Sequence, residues 1–216
     1  MIALMDSGTA NLGSVYKALQ ETGSRPTITD DPATLNEAAG VVFPGVGSFE
    51  HAARILQAKG LDEVIVECIG SGKPFLGICL GFQLLFTYSE EALQGQHRLK
   101  TGDSSLPLGL NIIKGAVKHF PPGLPVPHVG WNSALFRKDH PLMKGLPEEA
   151  FFYFTHSYYA APDESDTVLA ETEYSGLFVS AVARDNLMGV QFHPEKSGPV
   201  GLKLLKNFVD IVKKGQ

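Results

Sequence analysis

Gly77-Ile78-Cys79-Leu80-Gly81 joins two apolar runs of different character. Upstream, Pro74-Phe75-Leu76-Gly77-Ile78 reads as a buried strand; downstream, residues 82–86 read as an apolar helix. A cysteine between two glycines at a strand-to-helix junction is the thiol version of the G-x-S-x-G elbow. In that turn the backbone bends sharply and lifts a nucleophile above the sheet. Side chains at 77 and 81 would collide with the neighbouring strand and helix, which accounts for glycine there. The helix end beyond Cys79 carries partial positive charge, which favours a thiolate. The Leu80 N–H is placed to hold an oxyanion. A free cysteine is most often a small buried hydrophobe; glycine context and position outweigh that reading for Cys79. They do not for Cys68, which sits among Val64, Ile65 and Ile69 in a helical pattern and is assigned to the core.

Outward from the elbow, the first half alternates short apolar runs with helical stretches. Strands are expected at 2–5, 26–29 and 40–44, and helices at 12–19, 49–56 and 61–69. Near-continuous apolar strands alternating with helices imply a parallel sheet covered on both faces. Residues 91–107 are polar and read as a surface excursion. Beyond Ile112 the pattern becomes short and β-rich, with strands expected at 117–120, 129–136, 151–154, 167–172, 178–184 and 187–192. Asp185-Asn186 is a hairpin turn between the last two. An amphipathic helix over 202–212 closes the chain. No internal repeat is present. The expectation is α/β: a single domain over 1–216, with a largely parallel central sheet flanked by helices and an additional antiparallel β layer.

The 216 residues suffice for one large domain, which at this size buries roughly 70% of its unfolded surface. Apolar residues at 44% and charged residues at 19% are ordinary for a folded domain and exclude a disordered chain. A net charge of −5, without blocks of basic residues, gives no nucleic-acid surface. Two cysteines form neither a disulfide framework nor a metal-ligand spacing, so no metal or cofactor is expected and the setting reads as reducing and cytoplasmic. The opening residues lack a basic n-region, and no apolar run reaches membrane-spanning length.

A cysteine nucleophile needs a base, commonly a histidine oriented by a third group. Of the seven histidines, His193 follows a strand in Gly189-Val190-Gln191-Phe192-His193-Pro194-Glu195. Pro194 biases it toward extended backbone, where residues two apart point the same way. Glu195 then lies beside the ring, giving Cys79–His193–Glu195. His156 is the rival base but has no carboxylate at short spacing, so it is kept as a pocket residue. His51, His97, His119, His128 and His140 read as surface or packing residues. Pro44-Gly45-Val46-Gly47-Ser48 is a second glycine loop after a buried strand; either a tight turn or a ligand-facing loop explains it. In the second case the Val46 or Gly47 N–H joins Leu80 at the oxyanion.

Residues 77–85, Gly-Ile-Cys-Leu-Gly-Phe-Gln-Leu-Leu, and 189–197, Gly-Val-Gln-Phe-His-Pro-Glu-Lys-Ser, resemble the two signatures of the class I, triad-type glutamine amidotransferases. Pro44–Phe49, His128-Val129-Gly130-Trp131-Asn132 and Phe152–Tyr158 resemble, within that family, the glutaminase subunits of imidazole glycerol phosphate synthases. The likeness spans essentially the whole chain. It implies a flavodoxin-like fold and hydrolysis of glutamine to glutamate and ammonia. It further implies delivery of that ammonia to a (β/α)8 cyclase subunit in a heterodimer, yielding imidazole glycerol phosphate and aminoimidazole carboxamide ribotide in histidine biosynthesis. By the same resemblance Gly47, Gln83, His156, Ser157 and Tyr158 meet glutamine, and Asn11, Trp131 and Asn132 lie near the partner. One departure is Asp6-Ser7-Gly8, where the family usually has Asp-Tyr-Gly. Rival readings are a glutaminase serving another pathway such as anthranilate synthesis, a gamma-glutamyl hydrolase, and a binding module that has kept only the fold.

Overall fold

A computed structural model describes residues 1–8, 10–91 and 108–215. Five parallel strands form its centre in the order β2 (Pro26–Thr29), β1 (Ile2–Met5), β3 (Gly40–Gly45), β4 (Phe75–Cys79) and β12 (Leu187–Val190). Alternation along each strand feeds two cores. Ile2, Leu4, Val42, Leu76, Ile78 and Val190 face one side, against α1 (Leu12–Glu21) and α6 (Gly198–Lys214). Ala3, Met5, Val41, Phe43 and Phe75 face the other, against α2 (Pro32–Glu37), α3 (Phe49–Lys59) and α4 (Leu61–Gly70). Strands β1, β3, β4 and β12 are therefore buried on both faces, whereas β2, at the sheet edge, is largely exposed.

The antiparallel part is not a detached layer. It is hydrogen-bonded to the parallel centre through the β12–β11 hairpin and forms one mixed sheet with it. From β11 (Leu177–Arg184) the sheet continues through β10 (Val168–Glu173) and β7 (His128–Phe136) to β8 (Glu149–His156). A side branch runs from β11 through β9 (Tyr158–Pro162) and β6 (Ile113–His119) to β5 (Phe86–Ser89). The helix expected over 82–86 does not form. The helix after the elbow, α5 (Leu80–Gln83), lasts one turn, and Phe86 opens strand β5, paired with Ile113. Phe82 and Phe86 suit either element, since both are fully buried. Strands β5 and β9 escaped the sequence pattern, while the closing helix is longer than 202–212. All but the first residue of the expected surface excursion, 91–107, lies outside the described residues. Among the described residues no helix is long and apolar enough to cross a membrane.

Candidate active site

Cys79 is the last residue of β4 and caps α5 with φ 54° and ψ −110°. A non-glycine residue held there stores on the order of 1–3 kcal/mol of backbone strain. Two close approaches keep the turn this tight. A Cβ on Gly81 would run into the carbonyl oxygen of Phe43, and one on Gly77 would lie 2.9 Å from Phe82 Cα. Glycine at these positions lets the helix start directly over β3 and β4.

Strand β12 lies beside β4 with Val190 opposite Ile78, so the chain leaving β12 passes the elbow. His193 is fixed there by its backbone: its N–H donates to the Tyr153 carbonyl at 2.9 Å, and its carbonyl accepts from Ser197 Oγ at 2.6 Å. Its φ and ψ are extended, as Pro194 requires, but Pro194–Lys196 then forms a 3-10 turn. Glu195 reaches the ring through that turn rather than through strand alternation. His193 Nδ1 and Glu195 Oε1 are 2.8 Å apart, and both side chains are almost wholly buried. Burial pushes the imidazole toward the neutral form. The Cys79 sulfur and the Glu195 carboxylate outweigh it and hold the ring up to about 10. His193 Nε2 has no hydrogen bond of ordinary geometry among the described residues, nor does Glu195 Oε2. The Cys79 sulfur acts on the ring both as a hydrogen-bonding neighbour and through its charge.

The second glycine loop follows β3, whose Gly45 is opposite Cys79. Val46 lines a small cavity with Asn11, Pro44, Gly45, Ile78, His193, Glu195 and Lys196, beside the elbow. Gly47 is absent from that lining and has φ +99°. Leu80, expected to donate from the first turn of α5, is buried directly after Cys79. Asn11 is exposed at the start of α1, and its side chain makes no capping bond. A larger cleft along α3, α4 and Gly109 lies away from Cys79 and has no cysteine or histidine in its lining.

Gln83 is buried rather than solvated. Its Nε2 donates to the Tyr158 carbonyl and to Gln191 Oε1, both at 2.9 Å. The sequence pattern does not single out Gln191. It is fully buried, and its Nε2 lies 3.7 Å from Cys79 Sγ. His156 meets His128 across the β7–β8 pair, ring to ring at 3.1 Å, and its Nδ1 bonds the Tyr158 carbonyl at 2.8 Å. Desolvation lowers His128 to about 4 and, joined by the charges of His128 and His193, His156 to about 3. Both rings are neutral near neutral pH, weak as bases, and their nitrogens are engaged in hydrogen bonds. Ser157 and Tyr158 are half-buried at the same strand junction. Trp131 is 58% exposed, whereas Asn132 turns its amide inward to His128 and to the Glu173 carbonyl. Among the described residues no cluster of three or more His, Cys, Asp or Glu side chains is placed to hold a metal ion.

Comparison with known proteins follows the same lines. The family described as "Glutamine amidotransferase class-I" matches residues 3–212. The chain is 48% identical over 215 residues to imidazole glycerol phosphate synthase subunit HisH of a Synechocystis strain, covering 98% of this chain and 96% of that one. It is 46% identical over 212 residues to the subunit of the same name from Moorella thermoacetica, covering 98% and 95%. Among solved structures, PurLQS of Thermotoga maritima superposes with a TM-score of 0.73 at 18% identity, covering 97% of each chain. A putative GMP synthase protein from Thermoplasma acidophilum superposes with a TM-score of 0.70 at 20% identity, covering 99% and 94%. These two show likeness of fold.

Proposed function

The chain belongs to the class I glutamine amidotransferases, as an amidotransferase subunit of the imidazole glycerol phosphate synthase type, and from that premise we propose that Cys79, His193 and Glu195 hydrolyse glutamine and that the ammonia feeds a cyclase subunit in histidine biosynthesis. The observation that carries the reading is the buried His193–Glu195 pair held over a strained Cys79. The raised imidazole keeps the proton, leaving the sulfur as the nucleophile.

The sulfur attacks the side-chain carbonyl carbon of glutamine, and the carbonyl electron pair moves onto oxygen. The Leu80 N–H and one from Val46 or Gly47 hold that oxyanion; one such donor is typically worth about 3–4 kcal/mol. His193 Nε2, which has no hydrogen-bond partner of ordinary geometry among the described residues, gives its proton to the departing nitrogen as the C–N bond breaks. Ammonia leaves and a thioester remains. Water, deprotonated by the now neutral ring, adds to the thioester, and glutamate is released with the thiolate restored. Glu195 orients His193 throughout. With both amide protons of Gln83 engaged inward, its carbonyl oxygen is the group that meets the substrate, with Ser157 and Tyr158 on the other wall.

The described length acts as one amidotransferase unit, and the cyclase partner is a (β/α)8 barrel. A reducing, cytoplasmic setting suits two free thiols. The test is Cys79→Ala assayed with the cyclase present. Glutamine-dependent product formation should vanish while product formation from added ammonium salt persists. Undiminished glutamate release would refute the mechanism.

A further inference from the structure

Resting on the reading of Cys79 as the nucleophile, we propose that Gln191 is a positioning donor to its sulfur, with an amide orientation imposed by Gln83, the Tyr158 carbonyl and the His128–His156 pair. A carbonyl oxygen only accepts. Both Gln83 Nε2 and His156 Nδ1 lie against that of Tyr158, so both must donate to it. Gln83 therefore presents its nitrogen, and its second proton points at Gln191 Oε1. With its oxygen so occupied, Gln191 must turn Nε2 toward Cys79 Sγ. No flip of either amide satisfies the set, so the donor at the sulfur is enforced.

The same logic fixes both rings. His156 carries its proton on Nδ1, so Nε2 accepts from His128 Nδ1. His128 Nε2 then accepts from Asn132 Nδ2, whose orientation is set independently because Asn132 Oδ1 accepts the Ser133 N–H. The two ends of the set require the same tautomers. A proton on both facing nitrogens would break the pair, and the depressed values of both rings agree with a neutral pair. The neutral pair anchors the Tyr158 carbonyl, and through it the amides behind the nucleophile. A donor at sulfur strengthens as the sulfur carries charge. It also holds in place the side chain of a residue whose backbone is strained.

The test uses the intact subunit with its cyclase partner. Gln191→Met keeps the volume without a donor. Gln191→Glu keeps an oxygen for Gln83 and places a second oxygen at the sulfur, so a folding failure of one variant leaves the other. Alkylation of Cys79 by iodoacetamide at pH 7.5 and glutamine kinetics are measured for both. Loss of one donor to a charged group should slow alkylation and kcat by roughly tenfold in Gln191→Met and more in Gln191→Glu, with KM for glutamine within about twofold. His128→Phe, which retains the ring stack but not the donor, should slow alkylation by less. Alkylation and kcat equal to the parent in folded Gln191 variants would overturn the proposal, as would a change confined to KM. A parallel Cys79→Ala sample separates the two readings. If it is inactive while the Gln191 variants match the parent, only the Gln191 proposal falls.

Discussion

His193 stands between two opposing pulls, burial against the sulfur and carboxylate beside it, and its raised value shows which wins. Glu195→Gln keeps the shape and removes the charge. By analogy with carboxylate-to-amide changes in other triads, kcat should fall about a thousandfold or more with KM for glutamine little changed. Steady-state kinetics on the complex check this, and a kcat within threefold of the parent would reject the orienting role. The same pair has a stability signature. A histidine raised from about 6.5 unfolded to about 10 folded contributes stability that is fully present below pH 6.5 and lost as pH rises through 10. The difference in denaturant midpoint between the parent and Glu195→Gln should therefore narrow from pH 7 to pH 10.5. A constant difference would mean that the pair is not charged in the folded protein.

At the scale of elements, the elbow stays tight because α5 starts against β3 with no room for a side chain at Gly81, where a Cβ would meet the Phe43 carbonyl. Gly81→Ala should destabilise the fold by about 3 kcal/mol or more, read as a lower urea midpoint; a neutral effect would mean that the turn relaxes freely. The β7–β8 pair makes the opposite kind of prediction. His128 and His156 stay neutral when folded, whereas the unfolded chain takes up protons below about pH 6.5. The unfolded state then binds more protons, so stability falls as pH drops from 6.5 toward 4, and His128→Phe should flatten that slope. The elbow, its histidine and its carboxylate were legible because each lies within a few residues of a glycine, a proline or a strand end. Strand β5 was not, because Phe82, Leu85 and Phe86 give an apolar run that fits a helix or a buried strand equally well. The His128–His156 contact was not either. It depends on a register between residues 28 apart in sequence, which no local spacing encodes. Gln191 was passed over for the same reason, since its meaning comes from Gln83 on a different element.

Across the whole molecule, the β7–β8 pair carries a buried histidine contact on one face and exposed apolar side chains on the other. Its inward residues, Phe152, Phe154, His128 and His156, are buried, while Val129, Trp131 and Phe151 are each more than half exposed on the opposite face. The register sets Trp131 directly opposite Tyr153, whose carbonyl holds the His193 backbone. An exposed aromatic and aliphatic cluster of this kind marks a protein interface more often than a solvent face. It gives Trp131 a physical argument that resemblance alone had supplied from sequence. Asn132 contributes differently, because its amide is engaged beneath the surface and it supports the hairpin instead of reaching outward. Trp131→Ala should weaken association with the cyclase subunit by about 2 kcal/mol, about thirtyfold in Kd, as expected for a central aromatic anchor. The melting temperature of the isolated subunit should barely move, because the ring covers little of its core. Asn132→Ala should act the other way round, lowering the subunit's own stability more than its affinity. Titration of the cyclase into each variant, beside thermal melts of the free subunit, measures both. An unchanged Kd for Trp131→Ala would put the partner on another face and leave the exposed hairpin unexplained.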